Sequence, residues 1–373
     1  MSFEQKPSIT EGPYAISGAS SFALDLIRTI AAQLVLVGHA ISVLGLLPHL
    51  QPPHFAYMQN VAVVVFFLLS GLLISYSVFS RREKPTFTSY LIDRFARIYS
   101  GLLPALLFIA IVDWVIISRG WGYAYADGYS VIDFVGNTLM LQDFPLLGSV
   151  WGITSFGSGR VLWTLAVEWW LYLIFGWLVL APRTGPGFWI GLLILLPVPL
   201  YNAIGGRGDG LTAMWVAGLA CCLILRGKLI TFNAAWRGWL LCCTFAILAV
   251  TRLYLTKDAY DLLFAVLAGA SLVTLIALLD FTQPKVPRPI GRVVKFAADY
   301  SFTLYLIHLS VMEVSLALIS NVSPWAAFGL TFLSANVAAA LLALGTEMQH
   351  HKLRKYLKRI LADRGARAKE VAQ

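Results

Sequence analysis

Two residues that could do chemistry lie inside one apolar, helix-length stretch near the start of the chain. Arg28 and His39 are separated by ten residues in the segment LDLIRTIAAQLVLVGHAISVLGL. An arginine at the centre of a membrane helix costs roughly 2.5–3.5 kcal/mol on insertion scales, so such a residue indicates a functional site by default. His39 is a candidate general base or nucleophile; the alternative is that it only hydrogen-bonds a neighbouring helix.

The helical period places Arg28 and His39 on one face of this segment, together with Asp25. A cation low on the face and an imidazole higher up would suit an anionic donor molecule whose reactive end reaches into the membrane. A simpler interpretation is that Asp25 and Arg28, three residues apart, neutralise each other near the interface.

Two more titratable residues fall in later apolar segments. Glu168 lies in WTLAVEWWLYL, and His308 lies in DYSFTLYLIHLS. A glutamate in such a setting needs a partner or a neutralising proton, while the surrounding aromatic residues, Trp163 among them, could instead be interfacial anchors. We predict that Glu168 and His308 act with His39 in proton transfer, although the sequence leaves open whether their helices are neighbours.

A basic segment precedes the third apolar stretch. SYLIDRFARIYS carries Arg94 and Arg97, whose guanidinium groups could bind phosphates in bidentate fashion. The alternative is that both arginines only mark the cytoplasmic side of the membrane.

The composition defines the fold class. The chain of 373 residues is 58% hydrophobic and 13% charged, and its mean hydropathy is +0.75. We predict an all-α, polytopic integral membrane protein with about ten transmembrane helices. The predicted spans are residues 22–46, 57–79, 98–118, 161–181, 187–204, 210–226, 236–255, 259–281, 297–319 and 324–346.

The distribution of positive charge predicts the orientation. With both termini cytoplasmic, the inner segments hold 22 of the 28 Lys and Arg residues and the outer loops hold five. The domains are then a cytoplasmic segment 1–21, a transmembrane domain 22–346 and a basic tail 347–373, expected to lie on the inner surface as an amphipathic helix. The net charge of +9 follows from this topology and from attraction to anionic membrane lipids. We therefore expect no nucleic-acid partner, and no zinc or nucleotide-loop signature suggests a metal cofactor.

Five segments in order carry a resemblance to a known family: the Arg28 to His39 spacing, VAVVVFFLLSGLLI, SYLIDRFARIYS, LWTLAVEWWLY and DYSFTLYLIHLS. Together they identify the chain as similar to the bacterial acyltransferase-3 family of integral-membrane acyltransferases, in its stand-alone form. The chain departs from the family at Ser100, where a proline is common. With Pro104 close behind, we expect a local change at the start of that helix rather than lost activity.

The resemblance implies a membrane O-acyltransferase of the bacterial inner membrane. Its donor would be acyl-CoA, usually acetyl-CoA, and its acceptor a hydroxyl of a cell-surface or secreted carbohydrate. It also implies site residues: catalytic His39, Glu168 and His308; donor-binding Arg28, Arg94 and Arg97; and substrate-binding Tyr305, with Trp163 as a further substrate-binding candidate.

A rival hypothesis is a carrier or flippase for a lipid-linked glycan. In such a protein the buried charges would line a translocation path and transfer no acyl group. Ten spans and a basic inner face fit both hypotheses, and the ordered family motifs favour the enzyme.

Overall fold

The computed structural model describes residues 15–142, 144, 152–205, 208–318 and 322–371, with side chains described as far as residue 363. Every regular element within these ranges is helical. The predicted cytoplasmic segment 1–21 lies outside the described residues as far as residue 14, and the predicted outer-loop Arg207 also lies outside them.

Thirteen α-helices are assigned in the described part of the chain. They are α1 Gly18–Val43, α2 Met58–Phe79, α3 Phe87–Ser118, α4 Val131–Thr138, α5 Leu162–Leu180, α6 Pro186–Leu195, α7 Pro197–Ile204, α8 Leu211–Arg226, α9 Ala235–Thr256, α10 Leu262–Thr282, α11 Arg288–Leu318, α12 Pro324–Gly345 and α13 His350–Val371.

All ten predicted spans overlap helices, but two of them differ from a simple span. Among the described helices, eight are long and apolar enough to cross a membrane. The fifth predicted span is divided into α6 and α7, which meet at a 45° bend; Pro197 lacks the N–H that would continue the helix. The sixth, α8, has 16 residues, fewer than the roughly 20 that span a bilayer.

Helix α3 contains the predicted span 98–118 and extends beyond it toward the N-terminus. The helix begins at Phe87, where the side chain of Thr86 accepts a hydrogen bond from the backbone N–H of Ser89. Arg94 and Arg97 lower the mean hydropathy of this first part of the helix, so hydropathy does not detect it. The N-cap residue does mark its start. Both arginines thus lie on the same rigid helix as the apolar stretch that follows.

The bundle exposes large apolar side chains, and it buries polar side chains within its apolar core. On α9, for example, Trp236, Ile247 and Leu255 are 62%, 64% and 70% exposed. In contrast, Ser310 and His308 of α11 are 0% and 1% exposed. A surface of this kind suits hydrocarbon rather than water, so the fold is that of an all-α polytopic membrane protein, as the composition predicts.

One end of the bundle collects ion pairs, and we call it the basic end. It comprises the start of α1, the end of α2, the start of α3 and the turn between α12 and α13. In that turn Glu347, which is 0% exposed, accepts hydrogen bonds from the backbone N–H and the hydroxyl of Thr303 at 2.9 and 2.8 Å. Arg97 of α3 lies 2.9 Å from the other carboxylate oxygen. This contact joins α3, α11 and the turn.

At the opposite end, the described part of the loop between α3 and α5 is bonded to the helices. Asp113 of α3, fully buried, accepts hydrogen bonds from the Tyr123 hydroxyl at 2.5 Å and from the backbone N–H of Ser158 at 2.8 Å. The Ser158 hydroxyl bonds both Asp113 and Ser310 of α11, at 2.6 Å each. Burial, with a smaller contribution from Asp113, raises the pKa of Tyr123 above its usual value. The described part of this loop is therefore fixed to the helices below it.

The tail folds as α13 and packs against α3. Asp93, whose side chain is 6% exposed, binds Arg354 at 2.7 Å and Lys358 at 2.8 Å, both from α13. Arg81 contributes a third and longer contact of 3.4 Å. A nearly buried carboxylate shared by three cations is the main polar link between the tail helix and the bundle.

Replacing Asp93 by Asn should release α13 from α3. The loss of charge leaves Arg354 and Lys358 facing each other without their common anion, so the detached state gains population. We expect trypsin to cleave within the tail at least about tenfold faster, the change that a loss of about 1.4 kcal/mol produces. The matched control is Asp299→Asn, which breaks an exposed ion pair with Lys295. Equal cleavage of wild type and Asp93→Asn would contradict this role.

Candidate active site

A cavity opens inside the bundle near the basic end, bounded by α1, α2, α3, α5 and α11. Its empty volume is about 970 Å³, part of which is open solvent. The charged residues that line it are Arg28, Arg94, Arg97 and Glu168, and the hydroxyl-bearing ones are Ser70, Thr164, Tyr172, Ser301 and Tyr305. The remaining lining residues are apolar: Val63, Phe66, Phe67, Leu69, Leu73, Ile74, Ile98, Leu165 and Phe302.

Three guanidinium groups give this cavity its charge. Arg28 lies 3.6 Å from Asp25, so the simple ion pair considered for it does form, and Arg28 lines the cavity nonetheless. Arg97 is held by Glu347. The guanidinium of Arg94 lies 5.9 Å from the centre of the Tyr90 ring, and its buried Nε has no hydrogen-bond partner among the described residues. The cavity therefore presents several donors suited to phosphate oxygens.

Glu168 obtains its partner from its own helix. The Tyr172 hydroxyl, one turn further along α5, donates a short hydrogen bond to Oε1 of Glu168. The Tyr172 oxygen is also 2.9 Å from the Ser70 hydroxyl of α2, which lies 3.1 Å from the indole nitrogen of Trp215 in α8. Glu168 is thus anchored by a hydrogen-bond chain across three helices.

The two histidines of the sequence analysis form a pair, although 269 residues separate them in the chain. Nε2 of His308 lies 3.2 Å from Nδ1 of His39. Nδ1 of His308 is 2.8 Å from the Tyr305 carbonyl, and Nδ1 of His39 is 3.0 Å from the Val35 carbonyl. Because a carbonyl oxygen can only accept, these partners assign the proton of each neutral ring to Nδ1. Nε2 of His39 then carries a lone pair.

The inner end of the cavity is close to this pair. Tyr305 lines the cavity, hydrogen-bonds the hydroxyl of Thr164, and packs edge-on against Phe66 with ring centroids 5.7 Å apart. Its carbonyl is the acceptor that holds His308. Tyr305 of the cavity wall and His308 of the imidazole pair thus lie on adjacent turns of α11. The inner end of a long molecule bound in the cavity would therefore be near His39.

The predicted site residues are therefore brought together in two groups. Arg28, Arg94, Arg97, Glu168 and Tyr305 share the cavity, and His39 contacts His308 just beyond it.

The surroundings of Glu168 and Trp163 differ from the arrangement expected from the sequence. The hydrogen bond to Glu168 comes from Tyr172 rather than from an imidazole. Trp163 packs its ring against Gly208 and is not among the described residues that line the cavity. The proposed proton transfer by Glu168 would thus have to pass through substrate or an intervening group.

The sequence analysis missed several residues that hold the site. Tyr172 could have been found, since it follows Glu168 by one helical turn. Ser70 is a single hydroxyl inside an apolar run, which favours neither a structural nor a functional interpretation. Trp215 and Glu347 carry no local signal, because their partners lie 145 and 44 residues away in the chain.

The chemistry of the lining points to an anionic ligand. Within the described ranges, no three His, Cys, Asp or Glu side chains are grouped as metal ligands. The lining combines guanidinium groups, an apolar middle and a few hydroxyls. Such a lining can bind phosphates at one end and an apolar arm further in.

Comparison with known proteins places this site in a family. A protein from Shigella phage Sf6 named O-acetyl transferase is 24% identical over 313 residues, which is 79% of this chain and 85% of the phage protein. No solved structure matches the chain. A family model described as an acyltransferase domain matches residues 21–344, a range that holds both histidines and every cavity residue. The chain belongs to the acyltransferase-3 family.

Proposed function

We propose that this protein is an O-acetyltransferase of the bacterial inner membrane, which moves the acetyl group of acetyl-CoA to a hydroxyl of a cell-surface or secreted glycan. The observation that carries the proposal is a cavity with three guanidinium groups in its wall and a histidine pair beside its inner end. Family membership and the name of the phage relative support the reaction class.

The basic end would face the cytoplasm, where acyl-CoA is made. This orientation follows from the excess of Lys and Arg at that end. Arg94 and Arg97, with Arg28 deeper in, would bind the phosphates of the donor. The apolar lining around Phe66, Phe67 and Leu73 would then surround its flexible arm.

His39 would act at Nε2. As general base it takes the proton of the attacking hydroxyl while the hydroxyl oxygen bonds the thioester carbon. The carbon–sulfur bond then breaks, and the imidazolium returns the proton to the departing thiolate, which gives free CoA and the ester. A second route uses the same nitrogen as nucleophile and passes through an acetyl-histidine.

His308 would stabilise the charged form of His39. Its Nε2 accepts from Nδ1 of His39, and its own proton is held by the Tyr305 carbonyl. The pair therefore has one direction of hydrogen bonding in the resting state. His308 can hold the ring of His39 and its positive charge without being the group that touches substrate.

The first experiment follows CoA release by purified protein from acetyl-CoA, with and without a surface-glycan extract. His39→Ala should lower glycan-stimulated release by at least about a hundredfold, since a general base contributes at least that factor. His54→Ala, at an exposed loop position, is the matched control and should retain activity. No glycan-stimulated release by folded wild-type protein would instead favour a glycan carrier.

Replacement of His308 should have a smaller effect than replacement of His39. His308→Ala removes one hydrogen bond to a charged group, so we expect kcat to fall by about tenfold to a hundredfold. His308→Gln can still offer an oxygen as acceptor and should recover part of this loss. A His308→Ala variant with the kcat of wild type would contradict the role.

Loss of one cavity arginine should weaken donor binding selectively. Arg94→Ala should raise KM for acetyl-CoA by about tenfold or more, since it removes charge-assisted hydrogen bonds. KM for the glycan should change little. Lys295→Ala, which alters an exposed charge at the same end, is the control. An unchanged donor KM in Arg94→Ala would exclude this arginine from the donor site.

A further inference from the structure

The short helix α8 makes backbone contact with α2. A Cβ atom added at Gly71 of α2 would lie 2.0 Å from the carbonyl oxygen of Trp215, and one added at Gly218 of α8 would lie 2.2 Å from that of Leu68. Such distances leave no room for a side chain, so the two glycines allow the helices to touch. The contact brings the indole of Trp215 within 3.1 Å of the Ser70 hydroxyl.

With Glu168 ionised, the hydrogen bonds that begin at Trp215 run toward its carboxylate. An indole nitrogen can only donate, so Ser70 accepts from Trp215. Tyr172 has a single hydroxyl proton, and it is given to Glu168. The hydroxyl of Ser70 lies 2.9 Å from the Tyr172 oxygen and also hydrogen-bonds Glu168, so its proton is directed to that pair.

The series of hydrogen bonds from Trp215 to Glu168 crosses the wall of the cavity. Ser70, Tyr172 and Glu168 line the cavity, whereas the described lining residues include none from α8. Trp215 is 3% exposed, and Ser70 and Tyr172 are each 8% exposed. Hydrogen bonds shielded from water in this way are stronger and more directional than exposed ones.

We propose that Trp215, Ser70 and Tyr172 are positioning residues for Glu168, and that they hold its carboxylate in the cavity wall in the orientation that the transfer reaction needs. The inference rests on the proposed function, in which the cavity takes up the donor. It assigns to α8 a role in the reaction through Trp215, although this helix does not reach the cavity itself.

The test measures kcat and KM of acetyl transfer for variants with and without Glu168. Tyr172→Phe removes the bond to the carboxylate and should lower kcat/KM by about tenfold to a hundredfold. Ser70→Ala removes the hydroxyl between Trp215 and the Tyr172–Glu168 pair, and Trp215→Phe removes the first donor. Each should lower kcat/KM by about threefold to tenfold. Ser70→Thr keeps the hydroxyl and should restore part of the loss.

The decisive measurement is made in the Glu168→Gln background. If the three positioning residues act through Glu168, then Tyr172→Phe and Glu168→Gln change kcat and KM in the same proportion. The double variant is then no less active than Glu168→Gln alone. Residues that only stabilise the fold would give losses that multiply. The matched controls are Tyr129→Phe and Trp177→Phe, whose polar atoms donate to the backbone carbonyls of Ala110 and Phe188.

The outcomes separate the two proposals. Multiplying losses in an active wild-type background, or a Glu168→Gln variant with wild-type kinetics, would overturn the positioning role and leave the proposed function intact. Folded wild-type protein that transfers no acetyl group would overturn the proposed function, and the positioning role with it. Non-additive losses, with both control variants active, would establish that Trp215, Ser70 and Tyr172 position Glu168.

Discussion

The structure depends on one constraint: a charge buried in an apolar bundle must have a partner of opposite charge or a set of hydrogen bonds. Glu347, a residue beyond helix α12, meets this constraint through Arg97 of α3 and Thr303 of α11. These contacts fix the turn after α12 against α3 and α11 at the basic end, and Arg28 pairs with Asp25 of its own helix. The cavity exists where these charged residues converge, so the interactions that hold the helices also give the site its charge.

The proposed reaction would use two neighbouring parts of the bundle. The cavity, with its guanidinium groups and apolar middle, would bind the donor, and the imidazole pair beyond Tyr305 would transfer the proton. The loop fixed by Asp113 lies over the opposite end of the same bundle.

The sequence predicted the parts of this structure that depend on local pattern. Apolar length gave the helices, and the spacing of Arg28 and His39 gave their common face. Hydropathy placed the third span after Arg94 and Arg97, whereas the capping residue Thr86 marks where helix α3 itself begins.

What could not be predicted depends on contacts between distant parts of the chain. His39 meets His308 across 269 residues, and Gln33 meets Asn336 across 303. A single sequence carries no signal for such pairs. The hydrogen bonds around Glu168 were predictable only in part. Its partner Tyr172 is one helical turn away, whereas Ser70 and Trp215 belong to distant helices.

The position of Glu347 has a practical consequence for mapping the topology of this protein. Reporter enzymes are commonly joined behind successive membrane helices to learn which side of the membrane each junction occupies. A junction placed directly behind α12 would remove the carboxylate that neutralises Arg97 and bonds Thr303. Such a fusion would report on a bundle with an uncompensated cation at its basic end, so an informative last junction belongs after α13 rather than before it.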